Sequence, residues 1–327
     1  MIELFAESGA MREVVSLAER VAATDANVLI TGESGTGKDA LALHIHENSN
    51  RASQPFIKID CATLPRDLLE AELFGYERGA FTGATEAKPG RLEAAHKGTL
   101  VLDEIAYLTN DSQAKLLRVI ETREFERLGG RRTIKVDARL IALTNVDLDQ
   151  SVKRHDFRED LYYRLNVVHI HLPPLRERVE DLSKLAQAFL RNYAAKHGRP
   201  ASDIAPEALA VLRAYEFPGN VRELGNTIER AVIVSNGKRI ELSDLPESIR
   251  AVALLQKKRQ SRQSLAQVEA EYVAETLQVT RGNKTEAARI LGISRKNLYE
   301  RLARFEKDEA AGNLDREDER RSIQSSD

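Results

Sequence analysis

The chain is 327 residues long, with 42% hydrophobic and 31% charged residues, which excludes whole-chain disorder and gives enough apolar material for about two domains. Its 49 basic and 51 acidic residues leave a formal charge of −2, so any contact with nucleic acid must come from a local patch, not a global field. One cysteine, Cys61, excludes a disulfide framework and a multi-cysteine zinc site and suits a reducing compartment. No run nears the roughly 18 apolar residues of a membrane span. The N-terminal MIELFAESGAMREV lacks the basic-then-apolar order of a signal peptide. A cytoplasmic protein without a membrane span is expected.

From Asn27 to His171, short apolar runs alternate with helical ones. Asn27–Thr31, Phe56–Asp60, Thr99–Asp103, Arg139–Thr144 and Val167–His171 read as parallel strands covered on both faces. Asp39–Glu47 and Gln113–Glu121 read as helices, and Gly129-Gly130 marks a hairpin within Glu124–Val136. This order predicts an α/β fold, a parallel sheet with right-handed crossovers and helices on both faces. After Pro173-Pro174 come three helical segments, Val179–His197, Pro206–Tyr215 and Asn220–Val234, with no strand of core length. Residues 251–263 carry four basic and no acidic residues and read as an exposed linker. The expected organisation is a core over 1–172, a helical subdomain over 173–245 and a linker over 246–264. A small all-α module over 265–307 follows, then an acidic tail over 308–327 with seven acids, three bases and little apolar matter, expected to be disordered.

Gly32-Glu33-Ser34-Gly35-Thr36-Gly37-Lys38 follows the first strand and precedes a helix. Glycines there let backbone N–H groups curl round phosphates, the helix N-terminus adds its dipole, and Lys38 supplies charge for the β- and γ-phosphates. A glycine-rich turn is the bland alternative. Asp39 stands where the general motif has Ser or Thr to help hold magnesium. About sixty residues on, Leu100-Val101-Leu102-Asp103-Glu104 is an apolar strand ending in two acids. Asp103 at the tip would hold Mg2+, directly or through water, and Glu104 would polarise the attacking water as a general base. The second acid favours ATP hydrolysis over binding alone.

Glu72–Ala84 contains the hexapeptide Gly79-Ala80-Phe81-Thr82-Gly83-Ala84, a small-residue loop that would present one Phe and one Thr to solvent. With GESGTGK, this GAFTGA stretch resembles the AAA+ domain of bacterial enhancer-binding proteins, the activators of sigma-54 RNA polymerase, and the resemblance runs from about residue 5 to 307. It implies an AAA+ phosphate-loop core with a helical lid. It implies that Phe81 and Thr82 touch sigma-54 near the transition state of hydrolysis. Thr144 and Asn145 in Leu143-Thr144-Asn145 match the sensor I position beside the γ-phosphate. Phe157–Leu165 matches the arginine-finger segment, so Arg158 and Arg164 would reach a neighbouring subunit's ATP and the active enzyme would be a homo-oligomer, a hexamer by family. Pro218–Leu224 matches the sensor II helix, with Arg222 aimed at the nucleotide of its own subunit. Relatives have Glu at the place of Asp39, a mild change. Many have Asn at the place of Asp60, where it restrains the catalytic glutamate; Asp60 would repel Glu104 if ionised and could donate to it if protonated.

Gly282–Tyr299 reads as helix, glycine turn, helix: Ala287, Ala288 and Leu291 permit close packing, Gly292 makes the turn and Ser294 can cap the second helix. Residues 281–307 hold eight basic and three acidic residues, the local patch that the neutral whole requires. A helix-turn-helix that binds the DNA major groove follows, similar to the Fis-type module of the same family. Arg295, Lys296, Asn297, Tyr299 and Arg301 are the candidate contacts; a dimerising α-hairpin is the alternative. The pairs His44/His46 and His169/His171 lack a third ligand and read as packing or surface residues, and Cys61 reads as core.

Together these features imply a ring-forming ATPase that binds an upstream enhancer and remodels the closed promoter complex of sigma-54 RNA polymerase. Two other readings are an AAA+ remodeller of another target, such as a chelatase or helicase loader, and a DNA-binding regulator whose ATPase domain only oligomerises. Because the chain begins almost at the AAA+ segment, control is expected from a regulatory protein in trans or from a segment absent from this sequence.

Overall fold

The computed structural model describes residues 4–251, 265–280 and 282–302, which fall into two compact units, Met1–Val252 and Ala253–Asp327. Most of the expected linker and the whole acidic tail lie outside the described residues.

In chain order the first unit contains α1 (Gly9–Ala22), β1 (Val28–Thr31), α2 (Lys38–Glu47), β2 (Phe56–Asp60) and α3 (Arg66–Phe74). The short antiparallel pair β3 (Gly75–Tyr76) and β4 (Lys88–Pro89) is followed by α4 (Arg91–Ala94), β5 (Thr99–Asp103) and α5 (Asn110–Thr122). The hairpin β6 (Glu124–Glu126) and β7 (Thr133–Lys135) then leads to β8 (Arg139–Thr144), α6 (Leu148–Lys153), α7 (Glu159–Leu165) and β9 (Val168–His171). Five strands make a parallel sheet of order β2-β5-β8-β1-β9. Successive side chains point to opposite faces, and both faces are apolar. Val28 and Ile30, Val101, and Ile141 and Leu143 pack with Ala18, Leu41 and Ile45 of α1 and α2. Leu29, Leu100, Leu102, Leu140 and Ala142 pack with Leu73, Phe74, Leu116 and Leu161 on the other side. That two-sided burial is why the strands read as continuous apolar runs.

One charged side chain lies inside this layer. Arg139 is 1% exposed, and its guanidinium donates to the carbonyls of Val21 at 2.8 Å, Ala22 at 3.2 Å and Ala26 at 3.3 Å. Those oxygens belong to the C-terminal turn of α1 and the turn after it, the end of a helix that favours a cation; the Val21 oxygen also accepts from Thr24.

Next come α8 (Val179–His197), β10 (Asp203–Ile204), α9 (Pro206–Ala214), α10 (Asn220–Val234) and β11 (Arg239–Ile240). Gly198, left-handed at φ 60°, ends α8. The sequence shows no strand of core length here, and the structure adds only the two-residue parallel clip β10–β11. Gly225 lets α10 lie against α8, since a Cβ there would come within 3.0 Å of the Phe189 ring.

The second unit has helices at Leu265–Val279, Lys284–Ile290 and 295–302 around Val273, Ala287, Ala288 and Leu298. No helix among the described residues is long and apolar enough to cross a membrane.

Removing the Arg139 guanidinium takes away its bonds to the carbonyls of Ala22 and Ala26 and one of several to that of Val21, so Arg139→Leu should cost about 2 kcal/mol and lower the melting temperature by roughly 4–8 °C in calorimetry. An unchanged melting temperature would show that the helix end needs no cation.

Candidate active site

The sheet register sets the chemistry at one edge. Thr31 pairs with Thr144 and Asp60 with Asp103, so the ends of four strands open on the same side. That is the edge where an open α/β sheet binds ligands. The loop 32–37 leaves β1 there and turns directly into α2. Lys38 folds back on it, its Nζ donating to the carbonyls of Gly32 at 2.9 Å and Glu33 at 3.2 Å. Burial lowers its pKa, against the attraction of Glu104, Asp103 and Asp39. Ser34, Gly35, Gly37, Lys38, Asp39, Asp103, Glu104 and Arg222 line one cleft, closed on its far side by Phe189, Tyr193, Val221, Gly225 and Asn226.

Glu104 follows β5 in the left-handed region, φ 53° and ψ 51°, a conformation that costs a non-glycine residue of order 1–3 kcal/mol and is held only where the surroundings fix it. Its Oε2 accepts the Asn145 N–H at 3.3 Å. The hydrogen bonds of Asp60 and Glu104 go to different partners, with none between the two acids. Asp60 Oδ1 accepts the N–H of Ala62 at 2.9 Å and closes its own turn, and Glu104 takes its hydrogen bond from the sensor strand. Cys61 is buried, and burial first, then Asp60, Asp103 and Glu104, push its thiol up to about 12. It is a core residue.

A lysine not singled out by the sequence enters the site. Lys58 Nζ lies 2.5 Å from Asp39 Oδ1 and 2.7 Å from Asp103 Oδ2. Burial works against its charge, but hydrogen bonds to the two carboxylates outweigh it and its pKa is raised. The signal was a lone lysine in an apolar strand, two residues before Asp60 and so on the same face.

The helical subdomain grips the loop. Val221 and Arg222 backbone N–H groups donate to the Gly35 carbonyl at 2.9 and 3.3 Å, and Arg222 Nη1 donates to Ser34 Oγ at 2.9 Å. Asn220 Nδ2 reaches Glu33 Oε2 and the Ser34 carbonyl, each at 3.1 Å. Arg176 holds Glu33 with two bonds of 2.7 and 2.9 Å, and buried Arg178 donates to the Thr36 carbonyl. Arg176, Arg178 and Asn220 were not marked as functional from sequence. Hydrogen bonds from Arg176 and Asn220 lower the Glu33 carboxyl to about 2.

Of the sensor I pair, Thr144 is fully buried, its Oγ1 accepting the Val146 N–H at 3.0 Å, while Asn145 is exposed at the strand end. Arg158 and Arg164 are exposed outside the cleft, paired with Asp160 at 2.7 Å and Glu121 at 3.2 Å. The GAFTGA loop is a tight turn in which Gly79 N–H donates to the Ala84 carbonyl at 2.8 Å and Ala84 N–H to Phe81 at 3.0 Å. Ala80 and Ala84 close its base, with Gly83 left-handed at φ 106° and Thr82 exposed. Phe81 rests edge-on against Tyr76, ring centres 5.0 Å apart, with 41% of its surface exposed. His169 Nε2 and His171 Nδ1 share the Thr31 hydroxyl at 2.8 and 3.0 Å, and buried His46 bonds Thr99 at 2.9 Å.

In the second unit, Ser294 Oγ accepts the Asn297 N–H at 3.2 Å and starts the last helix. Arg301 Nε donates to Asn297 Oδ1 at 2.8 Å and its guanidinium meets Glu269, so these two side chains are engaged within the unit. Lys284 Nζ lies 4.7 Å over the Tyr299 ring. Arg295 and Lys296 are exposed and in no ion pair among the described residues.

Comparison with known proteins places these features. Residues 4–171 match the family model of the Sigma-54 interaction domain, residues 176–262 the AAA+ ATPase lid domain, and residues 264–305 the Fis family of bacterial regulatory proteins. Regulatory protein AtoC of Escherichia coli is 47% identical over 310 residues, 92% of this chain and 67% of its own length. Transcriptional regulatory protein FlbD of Caulobacter vibrioides is 45% identical over 312 residues, 90% of this chain and 69% of its own. Among solved structures, NtrX from Brucella abortus in complex with ATP superposes with a TM-score of 0.69 at 37% identity, covering 93% of this chain and 69% of that one.

The Glu33 clasp has a defined pH window. A carboxyl held near 2 against an ordinary value of 4.5 adds stability above pH 4.5 that is lost as pH falls towards 2. The melting temperature of wild type should exceed that of Glu33→Gln at pH 7, and the gap should close as pH drops below about 4.5. A gap constant over that window would disprove the pairing.

Proposed function

We propose that this chain, which belongs to the family of sigma-54-dependent AAA+ transcriptional activators, hydrolyses ATP in the cleft between its phosphate loop and lid and uses the cycle to move the GAFTGA loop against sigma-54. The observation that carries this is the convergence of Lys38, Asp103, Glu104 and Arg222 on one cleft, in a chain that also holds out Phe81 and Thr82. ATP would lie with its phosphates along Gly32, Glu33, Ser34, Gly35, Thr36 and Gly37. Lys38, leaving the loop carbonyls, would take the β- and γ-oxygens, and Arg222 would follow from the lid side.

Two carboxylates, Asp39 and Asp103, already face one point occupied by a cationic head group, a donor set that suits a hard divalent ion. Bound there, Mg2+ would neutralise charge on the phosphates. Glu104, aimed by its left-handed backbone and by the Asn145 N–H, accepts the proton of the attacking water as the γ-phosphoryl leaves ADP. Asn145, on the same hydrogen bond, is placed to register whether a γ-phosphate is present; the buried hydroxyl of Thr144 supports the turn beneath it.

Arg158 and Arg164 do not line their own cleft and their side chains are paired with exposed acids, which supports a role at a neighbouring protomer's ATP in a homo-oligomeric ring, a hexamer in this reading. Cytoplasmic action at an upstream enhancer follows, with Arg295 and Lys296 as the leading DNA contacts and Asn297, Tyr299 and Arg301 shaping the recognition helix.

Glu104→Gln should retain ATP binding while phosphate release falls at least 100-fold; release within a few-fold of wild type would remove Glu104 from the base role. Replacing Arg295 and Lys296 with Ala should weaken DNA retention at all salt concentrations and lower the salt slope by about 2, with phosphate release unchanged. Unaltered retention would take this helix out of the DNA contact.

A further inference from the structure

Asp39 on the first turn of α2 and Asp103 at the tip of β5 belong to separate elements, yet both carboxylates are pinned by the same ammonium, that of Lys58 on β2. Asp103 is only 16% exposed at its side chain, against 53% for Asp39, so without a cation the partly shielded Asp103 would face a second acid. The lysine comes from the neighbouring strand, on the face that the two-residue period shares with Asp60, and not from the phosphate loop. Its side chain is 36% exposed and borders a second groove, walled by Asp60, Glu72, Tyr76 and Phe81, where Lys88 and Arg91 already pair with Glu72 and Asp60 is the acid without an ion pair among the described residues. The ammonium therefore has somewhere to go when it leaves the carboxylates.

We propose that Lys58 is the resting counter-ion of the magnesium carboxylates: it fills the point between Asp39 and Asp103 in the nucleotide-free protein, and a divalent ion must displace it. The inference rests on the reading above that Asp103 holds the ion beside ATP. An ammonium and a divalent ion cannot share two carboxylate oxygens at contact distance, so Lys58 weakens ion binding before nucleotide arrives. With nucleotide present the phosphates add oxygen ligands for the ion, and the balance tips. The site is then kept neutral when empty and takes its ion together with its substrate. On release Lys58 carries its charge to the groove under Phe81, a charge change at the partner loop that accompanies loading of the cleft.

The test measures ion binding directly, with Mn2+ as the probe, by electron paramagnetic resonance on the nucleotide-free full chain. Wild type should bind Mn2+ weakly, Lys58→Gln at least tenfold more tightly, and Lys58→Arg, which keeps the charge, as weakly as wild type. Adding Asp103→Asn to Lys58→Gln should abolish the gain. If Lys58 is only a structural tie between β2 and α2, Lys58→Gln lowers the melting temperature and leaves Mn2+ affinity unchanged, which overturns the proposal. A gain that survives Asp103→Asn overturns it too, because the ion then sits elsewhere. Failure of wild type to bind a fluorescent ATP analogue would instead strike the catalytic reading, and this one with it, so the two failures are distinguishable.

Discussion

Backbone touching backbone at Gly35 is the constraint on which the cleft depends. A Cβ at that residue would lie 2.4 Å from the Gly219 carbonyl oxygen, so the loop and the lid can meet only because the side chain is missing. The contact also resolves two needs at once. The first N–H groups of α10 have no acceptor within their own helix, and the Gly35 carbonyl takes two of them. The lid is thereby referenced to the main chain of the phosphate loop as well as to the side chains of Glu33 and Ser34.

The charges around that contact are sorted by what each must do. Arg176 and Arg178 are committed to Glu33 and to the Thr36 carbonyl and hold the frame. Lysines on the sheet side, Lys38 and Lys58, rest on groups that ligands could replace: loop carbonyls in one case, carboxylates in the other. Glu104 is one of the left-handed non-glycine residues, and its backbone aims the side chain at the sensor strand. The frame is stiff and the reactive groups are exchangeable, as a site that binds, cleaves and releases in turn requires.

Much of this was legible in the sequence, for identifiable reasons. The five core strands stand where their apolar runs end, off by one residue at Asn27 and Val167, because burial on both faces leaves no other reading of such runs. The phosphate loop and the Asp103-Glu104 pair were visible because they join a local motif to a strand end. What escaped depends on register and on distant partners. Lys58 and Asp60 lie two apart on β2, but which carboxylate each would meet is set by the neighbouring strand and by α2. Asp60 was expected at Glu104 and instead closes a turn onto Ala62. Arg139, a charge in an apolar strand, made sense only once the end of α1 was seen above it. Two-residue strands such as β10 and β11 carry too few side chains to show any period.

The hairpin β6–β7 bears on how the GAFTGA loop can travel. Leu128 exchanges backbone hydrogen bonds with Gly75 and Glu77 at the root of that loop, each 3.0 Å, and Arg127 grips Glu77 and Glu93. At the tip, a methyl group on Gly129 would strike the Ala80 Cα at 2.9 Å. Two ribbons so interlocked have no room to slide past each other. A displacement of one would therefore carry the other, and the hairpin joins α5 at Arg123, left-handed at φ 59°. The hairpin thus ties the end of α5 to the ribbon that carries Phe81.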